Sequence, residues 1–216
     1  MHVDLIFPVL GDTLPVDHSY KLFSAISGLA ANLHEQEDVG IFPINGTLVG
    51  GRRLRINRSS HLGIRLPSES LSIAYMLAGK ALRIDDSTIR LQIPVAHLIQ
   101  PATLLYSRLV VFKGHTEPKS FLSCAKEKLL SLGITHGVPS LVEQKSIQSL
   151  NEGKQTGSHS PYLRRTLQVK DSSIVGFALR VDQLTEEESI RLQEQGLGGR
   201  RHMGCGLFIH PAAGGK

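Results

Sequence analysis

Tryptophan is absent from this chain, and only four tyrosines, seven phenylalanines and two cysteines occur among its 216 residues. Cys124 and Cys205 lie far apart with no CxxC spacing, which excludes a zinc ribbon and a disulfide framework and fits small buried side chains in a reducing compartment. No apolar run approaches the length of a membrane span. The opening MHVDLIFPVLGD has no basic stretch and meets Asp4 early, so it does not read as a signal peptide. These absences predict a cytoplasmic protein without a membrane partner. The scarcity of aromatic rings also argues against the common RNA-recognition module, whose central strands stack bases on paired aromatics.

What is present is a core and an excess of base. Apolar residues make up 41% of the chain, enough to bury two small domains. Lysine and arginine number 24 against 19 acidic residues, for a net charge of +5. That balance permits a polyanionic partner without requiring one.

The hydrophobic pattern repeats in its order of elements. Val3, Leu5 and Phe7 alternate as in a strand; a helix begins near Asp17 and places Leu22, Phe23, Ile26, Leu29, Ala30 and Leu33 on one stripe. Strands at 52–57 and 61–66, a helix over 68–82 and a strand at 88–95 complete a βαββαβ unit. After Gln100-Pro101 the order recurs. A strand at 103–113 leads to a helix over 117–132 that stops at Gly133, then to a short strand at 138–142. A hairpin over 162–170 and 174–181 leads to a helix opened by the Thr185/Glu188 capping box, and a last strand covers 206–209. The polar segment 144–160 reads as a mobile loop. The predicted fold is α+β: two tandem ferredoxin-like units, residues 1–101 and 102–216.

Strand alternation sends Arg53, Arg55, Arg65 and Arg90 to the open face of the first sheet, with His61 and Gln92. Arginine donates a planar fork suited to phosphate, so this face reads either as an anion surface or as a solvated face that prevents aggregation. Arg164 and Arg165 add a second basic stretch.

The densest feature is QGLGGRRHMGCGLF, residues 195–208. Gly196, Gly198, Gly199, Gly204 and Gly206 surround Arg200, Arg201 and His202 between a helix end and a strand. No Gly-Lys-Ser/Thr follows, so this is not a Walker A loop, and a dinucleotide fingerprint would sit in a strand-to-helix turn instead. The stretch reads either as a phosphate cradle of peptide N–H groups or as a glycine-rich turn before an edge strand.

Gly-Leu-Gly at 196–198, five residues, and Gly-Cys-Gly-Leu-Phe at 204–208 resemble the glycine-rich loop of the RAMP superfamily of CRISPR-associated proteins. Chain length and the VGFALRV strand at 175–181 are similar to its repeat-processing endoribonucleases. The resemblance implies binding of a CRISPR repeat stem-loop, partnership with other CRISPR-associated proteins, and cleavage with no metal and no cofactor. In that chemistry a 2′-hydroxyl attacks the adjacent phosphate and leaves a 2′,3′-cyclic phosphate. It also implies a catalytic histidine on or just after the first helix, where His34 and His18 qualify by position. Tyr20 could orient a hydroxyl, Arg52 and Arg53 could stabilise the phosphorane, and the loop would grip phosphate through its glycine amides, Arg200, Arg201 and His202. A histidine is also expected just after the first helix, where this chain has Phe42. A non-catalytic RNA-binding subunit that caps the repeat hairpin, and an unrelated enzyme of a phosphate ligand, remain open alternatives.

Overall fold

A computed structural model describes residues 1–143 and 161–211, apart from the side chain of His34. The predicted loop at 144–160 lies outside the described residues.

The first half runs β1 (His2–Leu10), β2 (Thr13–Pro15), α1 (Ser19–Leu29), α2 (Ala31–His34), β3 (Gly40–Ile41), β4 (Thr47–Val49), β5 (Arg53–Arg55), β6 (His61–Pro67), α3 (Leu71–Tyr75), β7 (Ala81–Ile84), β8 (Ser87–Leu91) and β9 (Val95–Leu98). The main sheet has the order β3-β6-β1-β8-β7, and β9 also pairs with β1. Its centre is β1, because Val3, Leu5, Phe7 and Val9 alternate onto one face and each is nearly or fully buried. Burying an aliphatic or aromatic side chain of this size contributes roughly 1.5–3 kcal/mol. Leu22 and Ile26 of α1, with Leu62, Ile64 and Leu66 of β6, close that core.

Four sequence expectations change here. The first helix breaks at Ala30 (φ −141°, ψ 70°), and Leu29 is exposed rather than inward. The helix expected over 68–82 shrinks to α3 with one tight turn before it, since Gly79 at φ +74° ends the helical path. Leu82 and Ile84 then alternate in β7. The strand expected at 88–95 splits into β8 and β9 around Pro94. The strand expected at 52–57 is not in the main sheet: β5 is the middle of a separate sheet of order β2-β5-β4. The second strand of the ferredoxin-like order is the short β3.

The second half runs β10 (Leu105–Val110), α4 (Pro118–Ser131), β11 (Val138–Leu141), β12 (Arg164–Val169), β13 (Ser172–Asp182) and α5 (Glu186–Gln195). Long β13 pairs with β10 on one side and with β11 and β12 on the other. The terminal segment bonds β10's free edge through Gly206 N to Leu109 O (2.7 Å) and reciprocal Tyr106–Ile209 bonds. It fills the position of the last ferredoxin strand, but as an isolated bridge rather than the regular strand expected at 206–209. A separate core forms around Phe112, Phe121, Phe177 and Phe208. The capping box on α5 is complete: Thr185 Oγ1 accepts from Glu188 N, and Glu188 Oε2 accepts from Thr185 N, both at 3.2 Å.

Candidate functional site

An α-helix ends with carbonyls that lack partners in the next turn. Two arginines distant in sequence supply those partners on α5. Arg65 Nη1 donates to Gln193 O (3.1 Å), and Arg201 donates to Glu194 O (2.6 Å) and to Gln195 O. Cations at this end also complement the helix dipole. Arg65 is 1% exposed; its Nε and Nη2 bond both carboxylate oxygens of Asp4, and Nη1 also reaches Phe208 O (2.6 Å). The open-face position expected for Arg65 is therefore overturned. Strand β6 is covered on both faces, so alternation there separates two buried environments. Arg201 is likewise buried, which corrects its expected place as a phosphate grip. Burial, then the charge of Arg65, lowers the Arg201 pKa to about 10.

The glycine-rich loop starts at that helix end and docks on the segment after α2. Arg201 reaches Asp38 O (3.3 Å), His202 Nε2 lies 2.9 Å from Gln36 O, and the His202 ring is 5.6 Å from that of Phe23. Four of the five glycine amides of the expected cradle already donate within the fold. Gly196 N donates to Leu192 O, Gly199 N to Val111 O, Gly204 N to Arg201 O and Gly206 N to Leu109 O. Glycine is required for packing at Gly206, where φ is +67° and an added Cβ would stand 2.2 Å from Leu197 O. At exposed Gly199 an added Cβ would meet nothing. Arg200 remains outward, in a left-handed conformation.

His18, the catalytic candidate immediately before α1, lies in the interior. It is 1% exposed; Nδ1–H donates to Pro15 O (2.7 Å) and Nε2 accepts from Ile44 N (3.0 Å). Burial lowers its pKa below the usual histidine value. With both ring nitrogens committed, His18 fastens the 42–45 segment and has no nitrogen left for proton transfer. Tyr20 is half-buried in the first turn of α1. His34 is the last residue of α2, two residues before the Gln36 carbonyl that meets the glycine-rich loop, and its side chain lies outside the described residues. Phe42 has a structural occupation: its ring lies 5.2 Å from the Arg65 guanidinium and covers that buried ion pair.

The four-arginine face also dissolves. Arg53 and Arg55 belong to the small sheet, Arg65 is interior, and of the four Arg90 alone stands exposed on the main sheet. Arg53 is tied to Asp86, Thr13 and Ser87, and Arg52 to Asp17. Arg55, Arg90, Arg164, Arg165 and Arg200 have no carboxylate partner among the described residues. Arg108 of β10, exposed beside Leu109, is another cation without a carboxylate partner among the described residues, and it lies outside the sequence candidates. Its signal in the sequence is a change of phase, because Leu105 and Ser107 face one core and Val110 and Phe112 continue it one position out of step.

Comparison with known proteins places this arrangement. Residues 3–212 match the family described as Cas6 Crispr. The chain belongs to the Cas6 family. A CRISPR-associated endonuclease Cas6 from Myxococcus xanthus (strain DK1622) is 36% identical over 209 residues, covering 97% of this chain and 81% of the relative. Among solved structures, a Cas6-related protein from Pyrococcus furiosus superposes with a TM-score of 0.63 at 16% identity, covering 97% of each chain. A RAMP protein described as binding different RNA substrates gives 0.62 at 14% identity, covering 97% of this chain and all of that one. These Cas6 and RAMP structures share the tandem ferredoxin-like fold. No helix among the described residues is long and apolar enough to cross a membrane.

Proposed function

We propose that this chain is an endoribonuclease that binds the repeat of precursor CRISPR RNA and cuts it by metal-independent attack of a 2′-hydroxyl, acting in the cytoplasm. The observation that carries this reading is the family match over nearly the whole chain, together with an endonuclease relative at 36% identity. The chemistry needs a base for the hydroxyl and an acid for the leaving 5′-oxygen, and histidine serves near neutral pH. Of the two histidines placed by the first helices, His18 is locked in the core. His34 takes the acid/base role in this reading, supported by its place in the chain beside the docked glycine-rich loop. The loop's part is to hold α5, α2 and β3 in fixed relation, with Arg200 as its outward cation.

The test is cleavage of synthetic repeat RNA from the CRISPR array nearest the gene, with EDTA present. A product ending in a 2′,3′-cyclic phosphate, and a His34→Ala rate lower by roughly 10²- to 10⁴-fold, support the assignment. Tight binding without cleavage in the unmutated protein would instead identify a subunit that only caps the repeat hairpin. The same reading keeps the chain on its product within an RNA-guided assembly of CRISPR-associated proteins; co-purification of cut repeat with the chain tests that part.

A further inference from the structure

A narrow cleft separates the start of α1 from the second sheet. Asp17 and Ser19 form one wall, Thr166 and Gln168 of β12 the other, with Leu109 and Met203 between them and Arg108 at the rim. Two features of β10 and β13 create it. Ser107 pairs with Leu179 and Val110 with Phe177, so two residues of β10 oppose one of β13 in a β-bulge. The bulge puts Arg108 and Leu109 on the cleft side together. Gly176 makes it possible, because any Cβ there would stand 2.1 Å from Val110 O.

Gly176 also pairs with Arg165 on the opposite edge of β13. Arg108, which opposes Ala178 in the bulge, and Arg165 therefore flank one strand, two interstrand spacings across and two residues along, about 12 Å apart at the backbone and within reach of one shared anion. Their charges act on each other: although Arg108 keeps an exposed surface at the rim, partial dehydration of its guanidinium and then the charge of Arg165 lower its pKa. Neither has a carboxylate partner among the described residues, and the Arg165 Nε is buried with no hydrogen-bond partner. Among the described residues Asp17 is the one carboxylate lining the cleft, and it accepts from Arg52. Hydroxyls of Ser19 and Thr166 and the amide of Gln168 are neutral hydrogen-bonding groups around the same opening.

Resting on the function proposed above, we infer that Arg108 and Arg165 together bind one backbone phosphate of the repeat RNA at the mouth of this cleft, at a site built by the β10 bulge and separate from His34. Two like charges held together without a counterion await one, and a non-bridging phosphate pair can accept from both guanidinium groups.

The experiment is a double-mutant cycle with Arg108→Ala, Arg165→Ala and the pair, measuring repeat-RNA affinity across a salt series. Each single variant is expected to bind about ten-fold more weakly, and the double little more weakly than either, because both lose the same phosphate. The slope of log affinity against log salt should fall by about 0.7–0.9. Without RNA, both singles should melt at or above the parent temperature, since each relieves like-charge repulsion; a lowered melting temperature would mark a structural role and overturn the inference. Strictly additive losses, or unchanged affinity in variants of a parent that binds, overturn it too. A parent that fails to bind repeat RNA overturns the functional reading instead.

Discussion

Arg65 Nε and Nη2 each stand 2.7 Å from a carboxylate oxygen of Asp4, on neighbouring strands β6 and β1. This pair is the anchor from which Arg65 reaches across to Gln193 and Phe208 of the second half. Removing one partner of a buried pair leaves an uncompensated charge, which costs more than the pair contributes. Asp4→Ala is expected to lower stability by about 3 kcal/mol, read as a lower urea midpoint. Replacing both residues with apolar ones of similar size should recover part of that loss. A midpoint unchanged in Asp4→Ala would mean that the two carbonyls alone hold Arg65.

The glycine-rich loop offers a sharp contrast between neighbours. Gly206→Ala forces a Cβ into Leu197 O at a positive φ, whereas Gly199→Ala meets open space. The first should destabilise by more than about 2 kcal/mol and the second by less than about 0.5 kcal/mol. Thermal melts of the two variants check this. A Gly206→Ala protein that melts like the parent yet loses RNA affinity would restore the amide cradle as the loop's main purpose.

Glu188 carries a pH signature. Its carboxylate is buried, which opposes ionisation, but it accepts from the backbones of His136, Thr185 and Thr135 and is held down to about 2 from an ordinary 4.5. A carboxylate whose folded pKa is depressed adds stability that is complete above its unfolded pKa and is lost as pH falls toward the folded one. The gap in urea midpoint between the parent and Glu188→Gln should therefore be constant from about pH 6 to 8, narrow below about 4.5 and nearly close by about pH 2. A gap independent of pH would show that the Glu188 carboxyl ionises alike in the folded and unfolded chain, and would overturn this prediction.

The tandem order of elements was legible because it rests on periodicity: Val3, Leu5 and Phe7 alternate, Leu22 and Ile26 share a helical face, and Thr185/Glu188 marks a helix start. What escaped was long-range. Alternation in β6 correctly sends Arg65 to the face opposite Ile64 and Leu66, but it cannot reveal that another part of the chain covers that second face. Nothing local to His18 shows that Ile44 N, 26 residues on, will meet its Nε2. The glycine spacing at 196–206 was legible as a motif, while its physical cause, close backbone contact with β10 and α5, was not. The bulge at Arg108 left a trace in the sequence as a one-residue phase shift, and a strict two-residue alternation passes over it.

The two candidate histidines should separate by what their removal damages. His18 is buried, neutral and bonded through both nitrogens. Its folded-state pKa lies below 6.5, so the unfolded chain takes up a proton more readily. The stability it contributes is complete above about pH 6.5 and falls as pH drops below that value. His18→Ala should lower the melting temperature at about pH 8, flatten this pH dependence, and reduce cleavage only in proportion to the protein unfolded. His34→Ala should leave the melting curve nearly unchanged, lower the cleavage rate by roughly 10²- to 10⁴-fold, and keep repeat-RNA affinity within a few-fold of the parent. The reverse pattern, with rapid cleavage by folded His34→Ala, would move the proton transfers away from α2 altogether. The folded His18→Ala protein, still cutting at the parent rate, would then show that neither histidine of the first helices is the acid or base.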